Sequence, residues 1–196
     1  MPWRAFGETF VTLVVITDPI GNAPIFLSVT RRLEPRARQR AAVQAVVAAG
    51  ALIVGFAIFG ELVLRYLHVS IESLSIAGGL LLLLVALEML RGTDFPSGDD
   101  DTGVALVPLA TPLVAGPGAI ATAMVLWRNH HHATGHIAVI VGIVAAVACV
   151  GVALLVSERV TRAVRPSVIA FLTRVFGLLL SAIAVQLVVN GVKGLT

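Results

Sequence analysis

The stretch TDPIGNAPIF, residues 17–26, places an aspartate, two prolines and a glycine inside a run apolar enough to cross a membrane. Proline removes a backbone donor and clashes with the preceding turn, while glycine permits unwinding. The stretch therefore predicts that one half-helix ends here and another begins near Asn22. At membrane depth, backbone freed in this way is tolerated only where protein buries it or where it lines a cavity.

The flanks of this stretch decide which solvent surrounds it. Of 196 residues, 58% are hydrophobic and 13% charged, against about 25% charged in soluble domains, which argues against a soluble globule. Runs free of Asp, Glu, Lys and Arg extend over residues 41–60, 102–127 and 133–157. Each is long enough to span, since about 20 apolar residues cross a hydrocarbon core of about 30 Å. Three further runs, 9–30, 71–90 and 175–192, carry one or two charges or lie beside one. The fold class expected is an all-α integral membrane protein with six transmembrane helices. The first span lacks a clear small-x-small cleavage site and is expected to be kept rather than removed as a signal peptide.

A net charge of +3 and a pI near 10.0 would suggest nucleic acid in a soluble protein. Here the basic residues sit in short loops and read as topology signals, with no nucleic-acid partner. The loop RRLEPRARQR, residues 31–40, holds five arginines and is expected to be cytoplasmic. With alternating spans, that side holds ten basic residues and the other four, which places both termini outside. The lone Cys149, inside the fifth span, is expected to be a buried small hydrophobe.

The connection RGTDFPSGDDDTG, residues 91–103, reads as a flexible linker between halves spanning 1–91 and 104–196. Its adjacent Asp99, Asp100 and Asp101 point apart and read as solvated loop rather than a metal site. Across it the sequence repeats at an offset of 98 positions: Gly79-Leu80-Leu81-Leu82 recurs as Gly177-Leu178-Leu179-Leu180, Ala86 falls on Ala184, Glu88 on Gln186 and Pro19 on Pro117. Three spans per half is an odd number, so the repeats are expected to be inverted.

The counterpart of the opening stretch is TPLVAGPGAIAT, residues 111–122. Spans one and four are thus both expected to be broken near the bilayer midplane, and paired interruptions in inverted repeats point to a transporter's binding site. Candidate substrate contacts are Asp18, Pro19, Gly21 and Asn22 at the first break, with Thr111, Pro112, Gly116, Pro117 and Gly118 at the second. Helix N-termini near Asn22 and Gly118 suit a carboxylate, and Asp18 suits an ammonium group or a coupling proton. A zwitterion would satisfy both. Asp18 read only as a helix cap is the plain alternative.

Glu88 and Gln186, near the exit ends of spans three and six, are candidate coupling or gating groups. The cluster of His130, His131, His132 and His136 reads as a polar external loop, without a dedicated metal site. Small residues at four-residue spacing, Ala41, Ala45 and Ala49 or Ala138, Gly142 and Ala146, fit close helix packing. No Walker A motif or nucleophile–base pair occurs in the spans, so direct ATP use and enzymatic activity are not expected.

The motifs DPIGNAPIFLSVT and PLATPLVAGPGAIAT, with the ending GLLLSAIAVQLVVNGV, resemble those of the MarC family of six-span membrane proteins over essentially the whole chain. That family is placed with the LysE-like transporters and contains members described as transporters of small neutral amino acids such as glycine and alanine. The resemblance implies a secondary transporter in a prokaryotic plasma (inner) membrane, with a proton or sodium ion as coupling ion and no other cofactor. Rival expectations are a cation or metal-ion carrier and a non-transporting scaffold or stress-response protein. Substrate, direction and oligomeric state, a homo-oligomer included, are left open.

Overall fold

Proline sets most of the helix starts. Its missing N–H costs nothing at the first helical position, where that donor has no partner in the helix. In the computed structural model, which describes residues 2–30, 33–91, 115–130, 132–159 and 165–195, five helices begin on one. The elements are α1 (Pro2–Thr17), α2 (Pro19–Val29), α3 (Pro35–Tyr66), α4 (Ile71–Arg91), α5 (Pro117–Asn129), α6 (Ala133–Leu155) and α7 (Pro166–Leu195). There is no strand among the described residues.

Five helical segments are long and apolar enough to cross a membrane: Pro2–Leu27, Pro35–Tyr66, Ile71–Arg91, Ala133–Leu155 and Ser167–Leu195. The sixth expected span begins outside the described residues, as do the linker 92–103 with Asp99, Asp100 and Asp101, and Thr111 and Pro112. The described part of this span, the fourth in chain order, is α5, whose 13 residues rise only about 20 Å, about two thirds of a hydrocarbon core of about 30 Å. Large apolar side chains point outward, Leu62 at 70% and Phe171 at 65% exposure among them. Such faces are stable against lipid and would not be against water.

Small residues let the helices approach. Ala41, Ala45 and Ala49 on α3 and Ala138, Gly142 and Ala146 on α6 are all buried, as their spacing predicts. A Cβ built on Gly50 would lie 3.3 Å from Val147, and one on Gly151 would lie 3.2 Å from Val46. The contacts advance along α3 as they recede along α6, so the two helices run antiparallel. The same holds for α4 and α7. A Cβ at Gly79 would lie 2.8 Å from the Ala184 carbonyl oxygen, and one at Gly191 would lie 2.7 Å from the Glu72 carbonyl oxygen.

Two apolar clusters result. One joins Leu13 and Phe26 of α1 and α2 to Ile53 of α3, Ala119 and Ala123 of α5 and Ile143 and Val147 of α6. The other joins Val15 of α1 to Leu82, Ala86 and Met89 of α4 and to Leu180, Ala184 and Leu187 of α7. Cys149 departs from expectation: it is exposed on α6 rather than buried, because the buried face of that helix passes through Ala146, Val147 and Val150.

Candidate functional site at the two helix breaks

The first break is narrower than expected. α2 starts at Pro19 rather than near Asn22, and a single residue, Asp18, separates it from α1. Asp18 has φ of +34°, in the left-handed region that non-glycine residues rarely adopt. Helical hydrogen bonding nearly bridges the kink, Asp18 N–H donating to the Val14 carbonyl (3.1 Å) and Asn22 N–H to the Asp18 carbonyl (3.0 Å). The reason is proline: fixed φ and no donor make Pro19 a helix start, so no unwound stretch is needed.

The groups freed at the kink are taken up by side chains. The Gly21 N–H donates to Asp18 Oδ1 (3.0 Å), and Asn22 Nδ2 donates to the Thr17 carbonyl (2.6 Å). Thr17 turns back on its own helix, its hydroxyl donating to the Leu13 carbonyl (2.7 Å). Thr17, Asp18 and Asn22 are buried, Asp18 at 7% exposure. Gly21 is needed here because a Cβ at that position would collide with Asp18 Oδ2. Asp18 therefore caps α2, and no basic side chain among the described residues pairs with its charge.

At the second expected break the described residues show a helix start of the same kind. α5 starts at Pro117, 98 positions after Pro19, with Gly116 as N-cap in extended conformation. The Gly116 carbonyl accepts from Ala119 N–H (3.0 Å) and Ile120 N–H (3.2 Å), and Gly116 itself supplies no side-chain cap. Gly118 is buried beneath Leu82 of α4, and Gly78 of the same helix faces Ala121, Pro117 and Gly118. One break thus carries its own anion at a helix N-terminus. The other presents a helix N-terminus with no anionic side chain on its N-cap residue or in its first turn.

The clusters bring both breaks into one region of the molecule. Leu13 and Ile16, just before Asp18, pack in the same cluster as Ala115, Ala119 and Ile120, which flank Gly116 and Pro117. Val15 shares the other cluster with Leu82, the residue over Gly118. α1 packs directly on α5. The buried hydroxyls of Thr9 on α1 and Thr122 on α5 have no hydrogen-bond partner among the described residues, and composition gave no signal for either.

Other expected residues lie elsewhere. Glu88 and Gln186 sit on exposed faces of α4 and α7, and Gln186 Nε2 donates to Asn190 Oδ1 (2.7 Å) one turn on. His130 Nδ1 bonds the Leu126 carbonyl (2.9 Å), His132 is the N-cap residue of α6, and His136 stacks on Trp127 with ring centroids 4.0 Å apart. His131 lies outside the described residues. No group of three or more His, Cys, Asp or Glu among the described residues could hold a metal ion.

A family model described as "MarC family integral membrane protein" matches residues 3–196. A UPF0056 membrane protein of Methanocaldococcus jannaschii is 36% identical over 202 residues, covering 99% of this chain and 98% of the relative. The UPF0056 inner membrane protein YhgN of Escherichia coli is 33% identical, covering 93% of each chain. The UPF0056 membrane protein YvbG of Bacillus subtilis is 28% identical, covering 96% of this chain and 94% of its own. No solved structure matches the chain significantly.

Proposed function

The chain belongs to the MarC family of integral membrane proteins, and from that premise we propose that it is a secondary transporter of small zwitterionic amino acids, glycine and alanine among them. The observation that carries the proposal is the chemical inequality of two neighbouring helix starts, a buried Asp18 carboxylate with no basic partner among the described residues and, at Gly116, an N-terminus whose own N-cap residue has no side chain to cap it. An ammonium group is attracted to the first. A carboxylate is attracted to the first-turn N–H groups of α5 around Gly118. An amino acid carries both groups on one carbon, so a short ligand can bridge adjacent helix ends. Asn22 and Thr17 line the ammonium side, and a proton or sodium ion supplies the coupling.

Alternating access in this proposal comes from inverted repeats. Helix starts support that relation: Pro19 and Pro117 begin α2 and α5, and Pro35 and Ala133 begin α3 and α6, each pair 98 positions apart. Packing supports it too. Gly79 meets the Ala184 carbonyl and Val188, while Gly177 meets the Ala86 carbonyl and Leu90. These are the same contacts with the halves exchanged, as a two-fold axis between antiparallel partners requires. Rocking one half on the other would then expose the breaks to each side in turn. The setting is the inner membrane, with both termini outside.

The test is counterflow of labelled glycine, alanine and serine in proteoliposomes, with Asp18→Asn and Gly118→Ala beside the wild type. Wild-type exchange of these amino acids, lost in Asp18→Asn, is the expected result. Absence of flux for all three under proton and sodium gradients overturns the proposal, and cation flux abolished by Asp18→Asn replaces it with a cation carrier.

A further inference from the structure

The exchange of contacts between halves is not repeated at Gly78, which borders the start of α5. Gly78 of α4 faces the start of α5: a Cβ there would lie 2.7 Å from the Ala121 Cβ, 3.8 Å from the Pro117 carbonyl oxygen and 3.9 Å from the Gly118 Cα. At an offset of 98 the residue corresponding to Gly78 is Phe176 of α7. The residues corresponding to Pro117, Gly118 and Ala121 are Pro19, Ile20 and Ala23 of α2. Gly78 and Gly118 thus correspond to Phe176 and Ile20, so large side chains stand at the positions that are near-bare backbone in the other half.

The surroundings agree. α2 and α7 are in contact, as α5 and α4 are. Phe176 is only partly buried and packs against the cluster that contains Val15, three residues before Asp18, together with Leu180. Ala23 is 1% exposed. A backbone-to-backbone contact such as Gly78 against α5 cannot open without moving a helix. A phenyl ring can leave by rotating about its side-chain torsions, far more cheaply.

We propose that Phe176 is the movable cover of the Asp18 break, and that its bulk sets the size of side chain the site admits. At α5 the corresponding place is held by the Gly78 backbone, which cannot swing aside, so of the two equivalent places only the one beside Asp18 carries a side chain that can open by rotation. The size-selection part rests on the transport proposal; the covering part does not.

The experiment therefore has two arms. In the first, Ala23→Cys in a Cys149→Ser background reports access to α2 through its rate of labelling by a membrane-impermeant methanethiosulfonate in liposomes. Labelling scales with the open fraction and is expected to rise about tenfold in Phe176→Gly, while Phe176→Leu, which keeps the bulk, stays near wild type. Equal rates in all three proteins overturn the proposal. Circular dichroism and size-exclusion profiles matching wild type qualify each variant, and Phe176→Ala serves if Phe176→Gly does not fold.

In the second arm, counterflow of leucine relative to glycine is expected to rise about tenfold in Phe176→Gly, the size of effect a few methylene groups exert in an apolar pocket. An unchanged ratio removes the selective role. If no amino acid is carried by any variant the transport proposal fails, and the labelling arm still decides whether Phe176 covers the break.

Discussion

At the residue scale the protein turns on Asp18, which serves as structural cap and as candidate binding group with one carboxylate. Its positive φ of 34° is a conformation that costs a non-glycine residue about 1–3 kcal/mol and persists where surrounding structure over-determines it. Asp18→Gly is accordingly expected to fold as stably as wild type or more so in a thermal melt, because relief of backbone strain offsets loss of the cap, while amino-acid exchange disappears. Asp18→Asn keeps an acceptor for the Gly21 N–H and is expected to lose less than about 1 kcal/mol with the same loss of exchange. Gly21→Ala forces the carboxylate away from the N-terminus of α2, and a melt should report a loss of about 1–2 kcal/mol. A stability equal to wild type in Gly21→Ala would show that Asp18 does not need its place over α2. The presence of a polar break was legible in TDPIGNAPIF, since proline and aspartate act on their own neighbours. That Asn22 bonds back to Thr17 rather than standing free was not, because a side-chain direction depends on the local helix geometry.

At the element scale the helices are longer than a count of charge-free residues suggests. The run 41–60 becomes α3 (Pro35–Tyr66), and 175–192 becomes α7 (Pro166–Leu195). Charged first and last turns, with exposed Arg36 and Arg40 among them, continue the helix beyond the apolar slab, where such side chains reach water. Break positions were legible to within a few residues and exact helix starts were set by Pro19 and Pro117. Contact between elements rests on glycines whose partners lie about a hundred positions away. Gly79→Ala would push a Cβ against two backbone atoms, the Ala184 carbonyl oxygen at 2.8 Å and the Val188 nitrogen at 3.1 Å. Gly177→Ala meets the Met89 Cβ at 3.0 Å and the Ala86 carbonyl oxygen at 3.3 Å, and Gly55→Ala meets open space. Melting temperatures in detergent are expected to fall most for Gly79→Ala, by the equivalent of about 1–3 kcal/mol, less for Gly177→Ala, and not at all for Gly55→Ala. Any other order contradicts the described packing of α4 on α7.

At the scale of the whole molecule the two halves are tied across both ends. Arg38 at the start of α3 pairs with Glu158 beyond the end of α6 (3.4 Å), and Glu72 at the start of α4 pairs with Arg128 at the end of α5 (2.6 Å). Because α4 starts where α3 ends, these pairs lie at opposite ends of the bundle. Both are partly exposed, so each contributes modestly: Glu72→Gln is expected to cost about 1 kcal/mol or less in a melt, and Glu61→Gln, within the exposed pair Arg65–Glu61, nothing measurable. A larger effect of Glu61→Gln would mean that stability does not depend on ties between halves. Orientation is tested separately, by periplasmic reporter fusions at each terminus, both of which are expected to be active; opposite sides for the two termini would exclude an even number of spans.

What the sequence determined by itself is what composition and nearest neighbours control: a membrane solvent, helices without strands, a break at Asp18, and a second motif 98 positions on. These follow because hydropathy, proline sterics and helix-start chemistry act over a turn or two of chain. Only the tertiary structure decided that Asp18 caps α2 with its own carboxylate and that Gly79 and Gly177 exchange partners across the bundle. The same holds for Gly78, which faces Pro117, Gly118 and Ala121 at the start of α5, and for Phe176, which packs on the cluster that contains Val15. Those properties depend on which side chains meet across helices far apart in sequence, and close packing, unlike hydropathy, is a relation between residues rather than a property of any one of them.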